Sequence, residues 1–273
     1  MSESLPDEQR LTGISPKAYE HPADRAATAA LKSVPYLDAV VRKLIELQYE
    51  RALRQRFLAG AIRVGEDQLP ELWADNVAAT TRLDLPDVYD LYVTQMPFTN
   101  AMAIGAGKPM VVVNSGTLNV LDTHELRTVL GHEAGHIRSD HVLYRTALVI
   151  LMTATGLSRI PVLGGPEPLQ QREPDAQQRQ AAELSCDRAA TLVNRDPLVT
   201  CRTMMVLAAG LPSGKLNLDA FMRQAREYED WDSGWDKLSR VSAELNQTHS
   251  FPVRRARSTF PLTSRNVLRN RSA

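Results

Sequence analysis

Apolar and polar positions along the chain follow a helical rhythm, then a strand rhythm, then a helical one again. Residues 23–32 predict a short helix ahead of Pro35. Across 37–58 the apolar positions Leu37, Val40, Val41, Leu44, Ile45, Leu47 and Leu53 fall near helical spacing, with Gly60 as a stop. A further helix is expected over 71–81, after Pro70. The rhythm then changes. Residues 90–94, 101–104 and 110–114 are short, rich in Tyr, Val and Ile, and separated by Pro97, Asn100, Gly105, Gly107 and Pro109. They predict three strands in an antiparallel meander. The run 110–113 is continuously apolar, as a strand buried on both faces would be. From Thr117 onward helical spacing returns. Asp122 followed by Glu125 reads as a capping box that starts a helix reaching Arg138. Helices are expected over 141–157, from Asp175 to Val193, from Pro197 to a stop at Gly210, and over 218–228 and 235–245. Three prolines and two glycines make 163–175 a loop.

The fold class that follows is α+β and mostly helical, with a small antiparallel sheet. Organisation is read as a mobile arm over 1–17, one domain over 18–262 and a basic flexible tail over 263–273. The chain has 273 residues, 43% of them apolar, enough for a sizeable core. Its 32 basic and 32 acidic residues balance, which argues against nucleic acid as a partner. The start is polar and acidic, without the pattern of a secretory leader. The two cysteines, Cys186 and Cys201, then read as reduced thiols in a cytoplasmic protein. The longest apolar run, 147–152 extending loosely to Leu157, falls short of the roughly 20 residues of a membrane span. A buried helix is the expectation there, and peripheral contact with a membrane the alternative.

Chemistry concentrates at His132-Glu133-Ala134-Gly135-His136. Residues four apart on a helix share a face, so both imidazoles can hold one Zn²⁺. Glu133, beside the first histidine, then acts as general base toward a metal-activated water that attacks a peptide carbonyl. Without that context the motif would read as two histidines of a surface helix. Leu126, Val129 and Leu130 give the helix a buried face. Gly135 costs about 1 kcal/mol relative to Ala inside a helix, and its use there suits close approach by another backbone or a substrate.

A catalytic zinc site needs a third protein ligand. A histidine six residues past His136 is excluded, because Val142 stands there and His141 is one place off. Glu183, on a later capped helix, supplies the other route. Asp187 lies one turn on and suits a hydrogen bond to the outer nitrogen of a ligand histidine. Taken alone, Glu183 and Asp187 would read as a solvated face paired with Arg188; behind a zinc helix they read as ligand and support.

These residues together resemble peptidase family M48, which includes prenyl-protein peptidases and HtpX-type heat-shock peptidases. The resemblance is carried by Asn100-Ala101, Val112–Gly116, Leu118, Leu121, Glu125-Leu126, the run from Val129 to His136, and Glu183-Leu184-Ser185-Cys186-Asp187-Arg188. It implies a zincin-like fold with one zinc held by His132, His136 and Glu183, supported by Asp187. It also implies a substrate cleft lined by Asn100 and by Val112, Val113 and Asn114, where an extended peptide could add to the edge of strand 110–114. The family's C-terminal histidine-proline element and arginine find their nearest match in His249 and Arg255, as stabilisers of the oxyanion. Ser250 stands where the family has proline. The best-known members span membranes and this chain shows no such runs, so their substrates are not carried over.

The functional expectation is a zinc-dependent metalloendopeptidase acting on peptides or unfolded protein. The alternative is a zinc-containing binding or regulatory module with little turnover, motivated by Cys186 near the site and by Ser250. Cys186 itself reads as a small buried residue packed beside the site, and His21 and His124 as surface histidines. Trp231 and Trp235 read as one packed helix face.

Overall fold

The computed structural model describes residues 11–33, 35–36, 50–105, 107–143, 173–230 and 252–259, with single positions at 39, 41, 43 and 146. Helices surround one small sheet. In chain order the elements are α1 (Pro22–Lys32), α2 (Glu50–Gly60), β1 (Ile62–Arg63), α3 (Pro70–Arg82), β2 (Asp90–Thr94), β3 (Ala101–Ile104) and β4 (Met110–Asn114). There follow α4 (Ser115–Val120), α5 (Thr123–Arg138), α6 (Glu173–Asn194), α7 (Pro197–Ala209), α8 (Leu218–Asp230) and α9 (Pro252–Thr259).

The three expected strands form at the expected positions, but not as a meander. The sheet is mixed, in the order β1-β2-β4-β3. β2 and β4 run parallel, with Leu91 opposite Val111, while β3 and β4 run antiparallel, with Met102 opposite Val112. The physical reason lies in β4. All five of its residues are buried, so it needs a neighbour on each side and takes an interior position. The chain between β2 and β3 crosses the end of β4, tied there by Met96 N–H to Ser115 Oγ at 3.2 Å and by Gly116 N–H to the Met96 carbonyl at 2.8 Å.

The two faces of the sheet meet different layers. Tyr92, Ile104, Met110 and Val112 pack with Phe57 of α2. Leu91, Ala101, Ala103, Val111 and Val113 face the main core, which they share with Val129, Leu130 and Ala134 of α5 and with Ala189 and Val193 of α6. A third cluster joins Cys201, Met204 and Met205 of α7 to Phe221 of α8 and Ala256 of α9.

Part of the stretch read as a mobile arm is tied to the body. Leu11 N–H bonds the Arg82 carbonyl at 3.2 Å, Gly13 N–H bonds Asp84 Oδ2 at 2.8 Å, and Arg138 Nη2 donates to the Ile14 carbonyl at 3.0 Å. Residues 11–17 are therefore held against the body. Helix α6 begins at Glu173, inside the stretch read as loop. The expected helix over 235–245, the Trp231 and Trp235 pair, His249, the apolar run 147–157 and the tail lie outside the described residues. Among the described residues no helix is long and apolar enough to cross a membrane.

Candidate metal centre

Helix α5 is set by its cap. Asp122 Oδ1 accepts from Glu125 N–H at 2.9 Å, and Glu125 Oε2 accepts from Asp122 N–H at 3.0 Å. The reciprocal pair satisfies two end donors and fixes where the helix starts, hence which residues face inward. Arg202 of α7 donates to Glu125 Oε1 at 2.8 Å, so the fully buried carboxylate keeps a charge partner.

Glycines let α6 lie close to α5. A Cβ on Gly135 would stand 3.0 Å from Ala189 Cβ and 3.2 Å from Cys186 Cα; one on Gly131 would stand 3.1 Å from Val193 and 3.2 Å from Ala190 Cα. The close approach that Gly135 was expected to permit is therefore made by α6. It carries Glu183 to the face that holds His132 and His136.

The three side chains converge. His132 Nε2 and His136 Nε2 are 3.1 Å apart. Glu183 Oε2 is 3.4 Å from the first and its Oε1 is 3.3 Å from the second. All three residues are at most 6% exposed. Two ligands at tetrahedral angles around a zinc ion, each about 2.0–2.1 Å from it, stand about 3.3–3.4 Å apart. The observed spacings match that edge to within a few tenths of an ångström. The donor chemistry matches as well. Asp187 Oδ1 lies 3.0 Å from His132 Nδ1 and accepts its proton, so in neutral His132 the lone pair is on Nε2, aimed at Glu183. The residues present therefore fit a zinc ion.

Asp187 is held in turn by Arg255 of α9. The guanidinium donates from Nε to Oδ2 at 2.9 Å and from Nη2 to Oδ1, and Nη1 stands 3.3 Å from Glu183 Oε2. Among the described residues, Arg255 is thus the C-terminal arginine that reaches the cluster. Its donors meet the two carboxylates, and Nη2 also stands 3.2 Å from His132 Nδ1. Burial opposes charge on Asp187, yet Arg255 and His132 hold its carboxyl below the usual range. Burial and the Arg255 charge oppose a proton on His132, but Asp187 and Glu183 outweigh them and lift it to about 9. Burial pushes His136 down to about 4, against the pull of Glu183.

Glu133 is 2% exposed, and its Oε2 accepts Ala103 N–H from β3 at 2.7 Å. A cleft opens beside it, lined by Asn100 and Ala101, by Val129, His132 and Glu133, by Met204 and Leu207 of α7, and by Arg255. Asn100 lines this cleft. Val112, Val113 and Asn114 do not. Both edges of β4 are occupied, and the valines are 2% and 1% exposed. The Asn114 side chain is engaged by Thr94 Oγ1 at 3.0 Å and by the Phe98 carbonyl at 3.2 Å. An added strand would lie against β3, the outer strand on this side.

Sequence reasoning passed over three contacts. His141 Nδ1 lies 3.2 Å from His136 Nδ1, and Asp24 Oδ1 of α1 lies 2.9 Å from His141 Nε2. Ser185 donates to Asp24 Oδ2. The one available signal was His141 itself, a histidine one place from an expected ligand position; Asp24 offered none. Cys186 is fully buried and groups with the Nδ1 side of His136, at 3.7 Å from His141 Nδ1, rather than with Glu183. His21 caps α1 through its Nδ1, and His124 is exposed, as read.

Known proteins resemble this chain. The family model for peptidase family M48 matches residues 68–259. The plastoglobule-localized metallopeptidase 48, chloroplastic, of Arabidopsis thaliana is 35% identical over 246 residues, which cover 88% of this chain and 70% of that protein. A protease HtpX homolog of Tropheryma whipplei (strain Twist) is 34% identical over 104 residues, covering 37% of this chain and 35% of its own. One from Lactobacillus helveticus is 34% identical over 96 residues, covering 34% and 31%. The match thus spans about a third of these HtpX homologs. No solved structure matches the chain. The chain belongs to peptidase family M48, a family of metal-dependent peptide hydrolases.

Proposed function

We propose that His132, His136 and Glu183 hold one zinc ion and that the chain is an endopeptidase acting on extended or unfolded polypeptide. The observation that carries this reading is the set of three buried donor side chains at tetrahedral edge spacing, with a glutamate anchored next to them at the rim of a cleft. A zinc ion there supplies a Lewis acid that polarises the scissile carbonyl and acidifies a water.

The protein's own groups do the rest. β3 offers its outer side to an extended substrate segment, which brings the scissile bond past Glu133. Ala103 N–H holds one Glu133 oxygen, so the carboxylate keeps a fixed position while it takes the proton of the attacking water and then passes it to the leaving amine. Asp187 keeps the His132 ring in the tautomer that turns Nε2 inward. Arg255 neutralises Asp187 and approaches Glu183, which lets two buried carboxylates coexist. We read Arg255 as a positioning residue rather than an oxyanion stabiliser, because its described contacts are with those carboxylates and with His132 Nδ1.

Glu133→Gln keeps the shape and removes the base. Degradation of a denatured test protein should fall by a factor of about 10²–10⁴, with zinc content by mass spectrometry unchanged. Equal proteolysis in wild type and variant would remove the enzymatic reading, leaving a zinc-binding module.

A further inference from the structure

Besides the Asp187–Arg255 pair, the described residues contain a second buried chain of polar groups that leads to the ligand set. Asp24 is 3% exposed, in the first turn of α1, where the helix dipole favours a negative charge. Its Oδ2 accepts the Ser185 hydroxyl, and that hydroxyl accepts His21 N–H at 2.9 Å. Its Oδ1 stands 2.9 Å from His141 Nε2, off the ring N–H direction, so the contact rests on charge as much as on alignment. His141 Nδ1 then meets His136 Nδ1 at 3.2 Å. Docking α1 on α6 requires no buried carboxylate; an apolar side chain would serve with less desolvation. The carboxylate needs another explanation, and its partner faces a ligand histidine.

The proton positions follow from the contacts. Asp24 Oδ1, 2.9 Å from His141 Nε2, favours a proton on that nitrogen by charge, so we assign neutral His141 the Nε2–H tautomer. Its Nδ1 is then an acceptor. His136 Nδ1, facing it, must donate, which leaves the lone pair of His136 on Nε2, the atom 3.3 Å from Glu183 Oε1.

We propose that Asp24 and His141 are positioning residues for the metal centre: through them α1, which lies outside the family-matched residues 68–259, fixes the tautomer and ring orientation of His136. This rests on the zinc reading above. It adds that zinc binding and the docking of α1 are coupled. A cation drawn to Nε2 strengthens the donation from Nδ1 along the chain to Asp24, and by reciprocity a docked α1 tightens the metal.

The test is zinc affinity of the full chain, measured by competition with a chromophoric chelator, alongside thermal melting. Asp24→Asn and His141→Phe should bind zinc about 10–100-fold more weakly than wild type. His141→Gln, which restores an acceptor toward His136 and a donor toward Asp24, should recover most of that loss. Affinities within twofold of wild type in folded Asp24→Asn and His141→Phe overturn the proposal. So does a His141→Gln variant as weak as His141→Phe. Should the variants fail to fold, wild type alone decides. Amide exchange across residues 22–32 should slow when zinc is added, and exchange unchanged by zinc contradicts the coupling. A wild-type chain that binds no zinc at all would instead sink the metal reading itself.

Discussion

The two histidines of the cluster face each other across 3.1 Å, yet they are supported in different ways. His132 leans directly on a carboxylate, Asp187, which a buried guanidinium from α9 neutralises. His136 leans on a second imidazole, and a carboxylate from α1 stands behind that. One support comes from near the end of the chain and one from near its beginning. The direct support carries a full charge pair out of water, so it is costly to break halfway. The relayed support sets a second imidazole between the ligand histidine and the carboxylate. If the cluster holds zinc as proposed, the direct support would be the stiffer of the two.

Breaking the stiff side should have the largest effect. Arg255→Met removes the only described guanidinium on Asp187 and leaves a buried carboxylate uncompensated. A loss of about 3–5 kcal/mol in unfolding free energy is expected by denaturant titration, with weakened zinc binding. Lysine cannot reproduce the fork of contacts, so Arg255→Lys should recover little. Stability within 1 kcal/mol of wild type, by the same titration, would show that Arg255 does not carry this side.

The interface that both supports share should give a middling effect. Gly→Ala inside a helix ordinarily adds about 1 kcal/mol. Gly135→Ala should instead cost about 1–3 kcal/mol, because the new methyl meets Ala189 Cβ and the Cys186 backbone. A raised melting temperature would mean that α6 has room to yield. A smaller loss, about 1 kcal/mol, is expected from Asp122→Ala, which removes half of the capping box without touching the ligands. Zinc affinity should stay at the wild-type level in that variant, which separates helix stability from site geometry.

The smallest effect should come from the thiols. Burial, with the surrounding carboxylates, pushes Cys186 well above its ordinary range, and burial pushes Cys201 up to about 12. Neither should react with a disulfide reagent at pH 8 until the protein is unfolded. Rapid labelling of the native protein would show that the side of the site behind His136 opens.

The same contrast separates what the sequence could show from what it could not. His132, Glu133, His136, Glu183 and Asp187 recur at helical spacing within two helices, so periodicity and chemistry together point to them. The strands at 90–94, 101–104 and 110–114 were legible from their composition and their turn residues. Their pairing was not. Whether β4 lies beside β2 or beyond β3 depends on burial of both its faces within the whole fold. Strand β1 is two residues long, too short to leave a pattern. Asp24 meets Ser185 across 161 positions, and no local signal records a contact of that separation. Arg255 sits on α9, a helix of eight residues that the histidine-proline comparison reached only by resemblance.

Metal content of the purified full-length chain beside Glu183→Ala tests the central claim most directly. The account predicts close to one tightly held zinc per wild-type chain and a loss of about two orders of magnitude or more in affinity in the variant, with the fold retained. Equal, tight zinc in both proteins would take residue 183 out of the ligand set and contradict the account.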